Sequence, residues 1–245
     1  IFFRVFYCRG IYLMRLQSTA HMASRLQRAA FTSSRTPALG LAVPRFTRQL
    51  YTNPDFEVKT PDDALGLLRQ GNERFVQGQI LAPHRGLGRL KDTAGVQKPF
   101  AAFLSCADSR VPVEIIFDQG FGDVFIVRVA GNVASTAVIA SLEFGCAVLG
   151  CKLLYVLGHT SCGAVKATMN PQAVPGVISS LYYHIRPAVE NAKGDQDKAI
   201  EENVRIQCKS LGISPVITSL QEEGKLKVVG GIYDLATGKV REIDC

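Results

Sequence analysis

Three short apolar runs recur along the chain, "FAAFLS" (100–105), "DVFIVRV" (123–129) and "KLLYVLG" (152–158), each the length of a buried strand. Helical patterns separate and follow them, over 135–150 and then 162–169. Strands that alternate with helices predict an α/β fold with a mostly parallel sheet covered on both faces. Upstream, "TPDDALGLLRQGNERFVQGQ" offers Thr60 as N-cap, Pro61 at the first helical position and two acids in the first turn, which predicts a helix over 61–78 despite Gly66 and Gly71. Residues 82–98 read as a polar loop. Downstream, 179–192 and 197–211 read as amphipathic helices, the first interrupted or bent at Pro187. Ser214 is positioned to cap a further short helix, and "LKVVGGIYDLATGKVREI" alternates about "ATGK" as a closing hairpin. With no repeat and no linker rich in Pro, Gly or Ser, residues 55–245 are expected to form a single domain.

The formal charge of +7 over 245 residues would point to a nucleic acid or a membrane if it were spread evenly. It is not. Residues 1–54 hold eight arginines, no lysine and no acid, whereas 55–245 hold 20 basic against 21 acidic side chains. The body therefore carries no electrostatic case for nucleic acid. The leader is rich in Arg, Ser, Thr and Ala, the composition of an organelle transit peptide or of a disordered basic tail. Its Arg-rich character and "RQLYT" lean towards a mitochondrion, with a plastid as the alternative. The apolar opening is broken by Arg4 and Arg9 and is too short to span a bilayer, so no membrane partner is expected. Met14 or Met22 is read as the start, with what precedes it as upstream sequence. Seven cysteines, an odd number spread over a long chain, fit a reducing compartment better than a secreted disulfide framework.

Ligands of open α/β sheets bind beyond the carboxyl ends of the strands, and two such ends are rich in metal-binding side chains. The first carries "SCADSR", with Cys106, Asp108 and Arg110; the third carries "GHTSCGA", with His159 and Cys162. Two thiolates and one imidazole are the ligand set of a catalytic zinc site with an open fourth position. Their softness favours zinc over magnesium or calcium. Cys162 stands at a helix start, where free backbone amides favour a thiolate. Asp108 either completes the metal shell or pairs with Arg110, which lies on the same side of an extended chain. Cys146, Cys151 and Cys208 are read as buried residues without a partner, and His84 and His184 as surface or satisfied core residues.

"CADSR" followed by "GHTSCGA", together with "GNERF", Gln97-Lys98-Pro99 and "VRVAGNV" (127–133), resembles the β-class carbonic anhydrases over most of residues 61–235. The resemblance implies an N-terminal helical arm, one zinc ion per chain on Cys106, His159 and Cys162, and an Asp108–Arg110 dyad. It implies CO2 hydration by a zinc-bound hydroxide that Asp108 orients while Arg110 holds Asp108 off the metal. It further implies substrate contacts from Gln97, Phe125, Ala130, Phe144 and Gly163, and a homodimer or dimer of dimers in which Gln97 and the aromatics reach the metal across the interface. Phe144 stands where many members have tyrosine. Phe103 replaces the tryptophan of members with a regulatory bicarbonate site, so that site is expected to be missing. Hydrolysis of COS or CS2 on the same residues and a silent zinc protein are the alternatives. A nucleotide site is disfavoured, because "GFGDVF" leads into a strand rather than a helix.

Overall fold

The computed structural model describes residues 57–172 and 174–245. The expected leader, residues 1–54, lies outside them. The first element is helix α1 (Pro61–Val76), and Thr60 closes a capping box with Asp63: the Thr60 hydroxyl accepts from the Asp63 amide while the Asp63 carboxylate accepts from the Thr60 amide. The expected loop 82–98 contains a short helix, α2 (Leu87–Asp92), with no buried residue. Its polar sequence lacks the apolar stripe by which a helix is recognised.

A five-stranded sheet follows, built from β1 (Ala101–Ser105), β2 (Val124–Arg128), β3 (Leu153–His159), β4 (Lys227–Tyr233) and β5 (Val240–Ile243). The strand order is β2-β1-β3-β4-β5, with the first four parallel and β5 antiparallel to β4. The three apolar runs are thus strands, and the expected hairpin forms the sheet's other edge.

Alternation along the central strands divides the core in two. Ala102, Leu104, Leu154 and Val156 face one layer, and Ala101, Phe103, Leu153 and Tyr155 face the other. The second layer is covered by α1 and the short α3 (Val113–Ile116). The first is covered by α4 (Thr136–Glu143), α5 (Gly163–Met169), α6 (Ser179–Ala192), α7 (Gln196–Leu211) and α8 (Pro215–Glu222). Burial on both faces explains why the strands read as continuous apolar runs.

Several boundaries differ from expectation. The helix expected over 135–150 is α4 followed by a π-helical turn, Phe144–Val148. Pro187 does not interrupt α6, which runs from Ser179 to Ala192 with proline inside it. Ser214 caps α8 as expected, its hydroxyl accepting from the Ile217 amide at 3.1 Å. Cys208 does have a partner: it is disulfide-bonded to Cys245, 37 residues away. The return of β5 along β4 brings the chain's end beside α7, a juxtaposition that no local pattern announces. Cys106, Cys146, Cys151 and Cys162 are free. Among the described residues no helix is long and apolar enough to cross a membrane.

Candidate active site

The strand order locates a crevice. The chain leaving β1 turns towards β2, whereas the chain leaving β3 crosses towards β4, so the loops after these adjacent strands diverge and open a cleft between them. Ser105 lies opposite Leu157 in the parallel register. Cys106, one residue past β1, and His159, the last residue of β3, therefore meet at the same edge. Cys162 follows on a turn that Thr160 pins to β4: its amide donates to the Tyr233 carbonyl at 2.9 Å and its hydroxyl accepts from the Leu235 amide at 3.0 Å. Ser161 takes a left-handed conformation in that turn (φ 55°), and Cys162 then caps α5.

One ligand atom from each of Cys106, His159 and Cys162 lies within 4.8 Å of the other two, and all three residues are buried. The imidazole Nδ1 lies 2.9 Å from the Thr160 carbonyl, which sets it as the donor and leaves Nε2 without a hydrogen-bond partner. The two thiols act on each other. Cys106 is pushed down to about 4, first by the hydrogen bond it receives from the Cys162 thiol and also by His159 and the amide of Gly131. Cys162 is pushed up, chiefly because it donates to Cys106. Two sulfurs and an imidazole nitrogen this close together form a position that a cation would occupy. By contrast, burial alone raises Cys146 to about 12, and burial is the first cause of the same rise at Cys151. Those two thiols are inert packing residues.

Asp108 and Arg110 form a side-on pair at the mouth. Arg110 Nε donates to Oδ1 at 3.0 Å, its terminal nitrogen to Oδ2 at 2.8 Å, and its own amide to Oδ1 at 2.9 Å. These bonds, the Arg110 side chain foremost, hold the Asp108 carboxyl well below the usual carboxylate range. Asp108 Oδ2 nevertheless remains 3.9 Å from His159 Nε2. The carboxylate is therefore beside the trio but turned towards the guanidinium.

Of the remaining expected residues, the structure brings Ala130 and Gly163 to the trio and leaves Phe125, Phe144 and Gln97 away from it. Ala130 does lie close, because Gly131 next to it donates its amide to Cys106 Sγ at 3.3 Å. Gly163 opens α5 directly after Cys162, and a Cβ there would meet nothing within 4 Å. Phe125, however, pairs with Ala102, four residues short of Cys106. At about 3.3 Å per residue it stands roughly 13 Å along the sheet from the level of Cys106. Phe144 packs beside Phe125 (centroids 6.3 Å apart) and is exposed. Gln97 lines a separate hollow with Thr93, Val96, Phe121 and Gly122.

Two further residues of the site, Arg128 and Gly131, suggest no metal or substrate chemistry in the sequence. Arg128 donates from Nε to the Cys106 carbonyl at 2.9 Å and from a terminal nitrogen to the Asp108 carbonyl, bracing the backbone on either side of Ala107. Gly131 supplies the amide on the Cys106 sulfur and needs its missing Cβ, since one would fall 2.6 Å from Ile185 Cδ1. Both lie in "VRVAGNV", where the only signal along the chain is the resemblance to the family.

A family model described as carbonic anhydrase matches residues 101–240. The chain is 37% identical over 193 residues to the carbonic anhydrase of Mycolicibacterium smegmatis, covering 74% of this chain and 92% of that one. The chain belongs to the β-class carbonic anhydrase family. It is also 38% identical over 192 residues to carbonic anhydrase 2 of Mycobacterium tuberculosis, covering 73% and 91%. Among solved structures, a tetrameric β-carbonic anhydrase of Sordaria macrospora matches with a TM-score of 0.59 at 26% identity, covering 64% of this chain and 86% of that one. The Coccomyxa β-carbonic anhydrase, solved in complex with acetazolamide, matches at 0.58 and 32%, covering 62% and 75%. As a β-class carbonic anhydrase, the chain carries its buried Cys-His-Cys trio and its carboxylate–guanidinium pair on the sheet edge where such a fold opens its crevice.

Proposed function

We propose that this carbonic anhydrase hydrates carbon dioxide reversibly to bicarbonate at a zinc ion held by Cys106, His159 and Cys162. The observation that carries the reading is the trio itself: three buried ligand atoms within 4.8 Å, one of them an imidazole nitrogen with no other partner. Tetrahedral zinc, with bonds of about 2.3 Å to sulfur and about 2.0–2.1 Å to nitrogen, asks for ligand atoms roughly 3.5–3.8 Å apart. The residues present fit it. The chemistry the ion supplies is Lewis acidity, which makes water acidic enough to act as a nucleophile near neutral pH.

The chain's own residues do the rest. Asp108, ionised and acceptor-only, takes a hydrogen bond from the attacking oxygen and aims its lone pair. Arg110 keeps Asp108 ionised and turned away from the sulfurs, so a position beside the trio stays open to solvent. The Thr160 carbonyl fixes the imidazole tautomer, and Gly131 and Arg128 fix Cys106.

The apolar wall for CO2 comes from a second copy in this reading. The roughly 13 Å along the sheet between Phe125 and the level of Cys106, and the separate hollow that holds Gln97, support delivery of Gln97, Phe125 and Phe144 across a dimer interface. The arginine-rich, acid-free residues 1–54 support import into a mitochondrion. The test of function is stopped-flow CO2 hydration with zinc stoichiometry. Chelation should abolish activity and zinc should restore it. A zinc-loaded chain that hydrates no CO2 from neutral to alkaline pH would leave the silent zinc protein as the reading.

A further inference from the structure

Helix α7 lies directly against the metal-ligand strands, and its buried polar side chains have no place in the chemistry above. Asn203 and Gln207 sit one helical turn apart and are each 1% exposed. Buried amides in an apolar layer are costly unless every polar atom is partnered, and here every one is. The Ala134 amide donates to Gln207 Oε1 at 2.8 Å, which fixes the orientation of that side chain. Gln207 Nε2 then faces Asn203 Oδ1 at 3.0 Å and the His184 carbonyl at 3.2 Å. Asn203 Nδ2 is left to donate to the Gly131 carbonyl at 2.8 Å, with a longer contact to Asn132 Oδ1 at 3.5 Å.

The segment so held is unusual. Gly131 (φ 71°) and Asn132 (φ 45°) are consecutive left-handed residues, a conformation that persists only where its surroundings impose it. The same Gly131 donates its amide to Cys106 Sγ. One peptide segment is therefore gripped from α7 on its carbonyl side while its amide addresses a metal-ligand sulfur. The helix also packs tightly behind the second ligand strand: a Cβ on Gly158, next to His159, would fall 2.6 Å from Val204 Cγ2.

We infer that Asn203 and Gln207 are positioning residues for the metal centre. Acting through the 131–134 segment, they hold the Gly131 N–H on the Cys106 sulfur and so set how strongly that sulfur donates to the ion. The inference rests on the metal reading proposed above. It names a function for two amides that touch neither metal nor substrate.

Cobalt(II) as probe metal and zinc transfer to a chromogenic chelator test it. Asn203→Asp keeps the acceptor for Gln207 and loses the donor to Gly131; Gln207→Glu keeps the acceptor for Ala134 and loses both donors. Each should shift the sulfur-to-cobalt charge-transfer band and speed zinc release by about 10–100-fold, the usual effect of removing such a supporting partner. Arg205→Ala, on the same helix but ion-paired with Glu202 at 2.7 Å on its outer side, should change neither. Folded variants with the wild-type band and release rate would overturn the inference. Should both variants fail to fold, the intact chain loaded with cadmium-113 decides: the Gly131 amide proton should show scalar coupling to the metal through the sulfur, and absence of that coupling overturns the inference. A chain that binds no cobalt or zinc at all refutes the metal reading instead, so the two failures are distinguishable.

Discussion

Replacing Arg110 with alanine should close the active site rather than merely weaken it. In the wild type two guanidinium bonds, at 3.0 and 2.8 Å, draw the Asp108 carboxylate towards Arg110, and only the backbone bond at 2.9 Å survives the substitution. Asp108 Oδ2 already lies 3.9 Å from His159 Nε2. Two ligand atoms on one tetrahedral zinc, each at about 2.0–2.1 Å, stand roughly 3.4 Å apart. A shift of roughly 0.5 Å therefore suffices for the freed carboxylate to become a fourth ligand, well within what a side-chain torsion supplies. The expected result is zinc retained at full stoichiometry, CO2 hydration lowered by about 10–100-fold or more, and loss of the exchangeable fourth position in the spectrum of the cobalt-substituted variant. The pH dependence is also determined. Arg110 lowers the folded-state pKa of Asp108, so the pairing is fully present above the ordinary carboxylate value of about 3.9 and is lost only as pH falls through the lowered one. The defect should accordingly be flat across the neutral range. A folded Arg110→Ala enzyme with wild-type turnover and an open fourth position would refute the reasoning.

Cys106→Ser and Cys162→Ser should each lose zinc and CO2 hydration together, as metal analysis alongside stopped-flow assays would show; a variant with full activity removes that cysteine from the site. Asp118→Ala should cost about 3–5 kcal/mol in denaturant unfolding, because it removes a fully buried carboxylate that bonds the Arg74 guanidinium, 2% exposed, at 2.7 Å and also accepts from the Leu81 and Ala82 amides. Gly158→Ala should cost about 1–3 kcal/mol by forcing α7 off β3, read as a lower denaturation midpoint with an unchanged slope. An unchanged midpoint in either variant would contradict the packing described.

Which features were legible along the chain follows from how locally each is encoded. Thr60, Pro61 and Asp63 announce α1, because a cap is a bond between residues three apart. The runs at 100–105, 123–129 and 152–158 announce β1, β2 and β3: β1 and β3 are buried at every position, and the half-buried edge strand β2 is still apolar over Val124–Val127. His159 and Cys162 stand at the spacing of a candidate metal-ligand pair, while the spacing of Asp108 and Arg110 permits an ion pair that only the resemblance singled out from the alternative of a fourth ligand. The helix over Leu87–Asp92 escaped because it buries nothing, and the π turn at Phe144–Val148 because its residues are as apolar as those of the α-helix before it.

Sequence alone determined the alternation of strand and helix, the chemical types at two strand ends, and the separate, acid-free composition of residues 1–54. Those are properties of neighbouring residues, repeated at the period of a strand or a helix. Tertiary structure alone decided that Cys106 and His159, 53 positions apart in number, share an edge. It also paired Cys208 with Cys245, set Phe125 and Gln97 away from their own trio, and placed Asn203 and Gln207 behind Gly131. Parallel strands pair only after long crossovers, so their register, and every contact made across it, is settled by packing the layers on the sheet rather than by any local pattern.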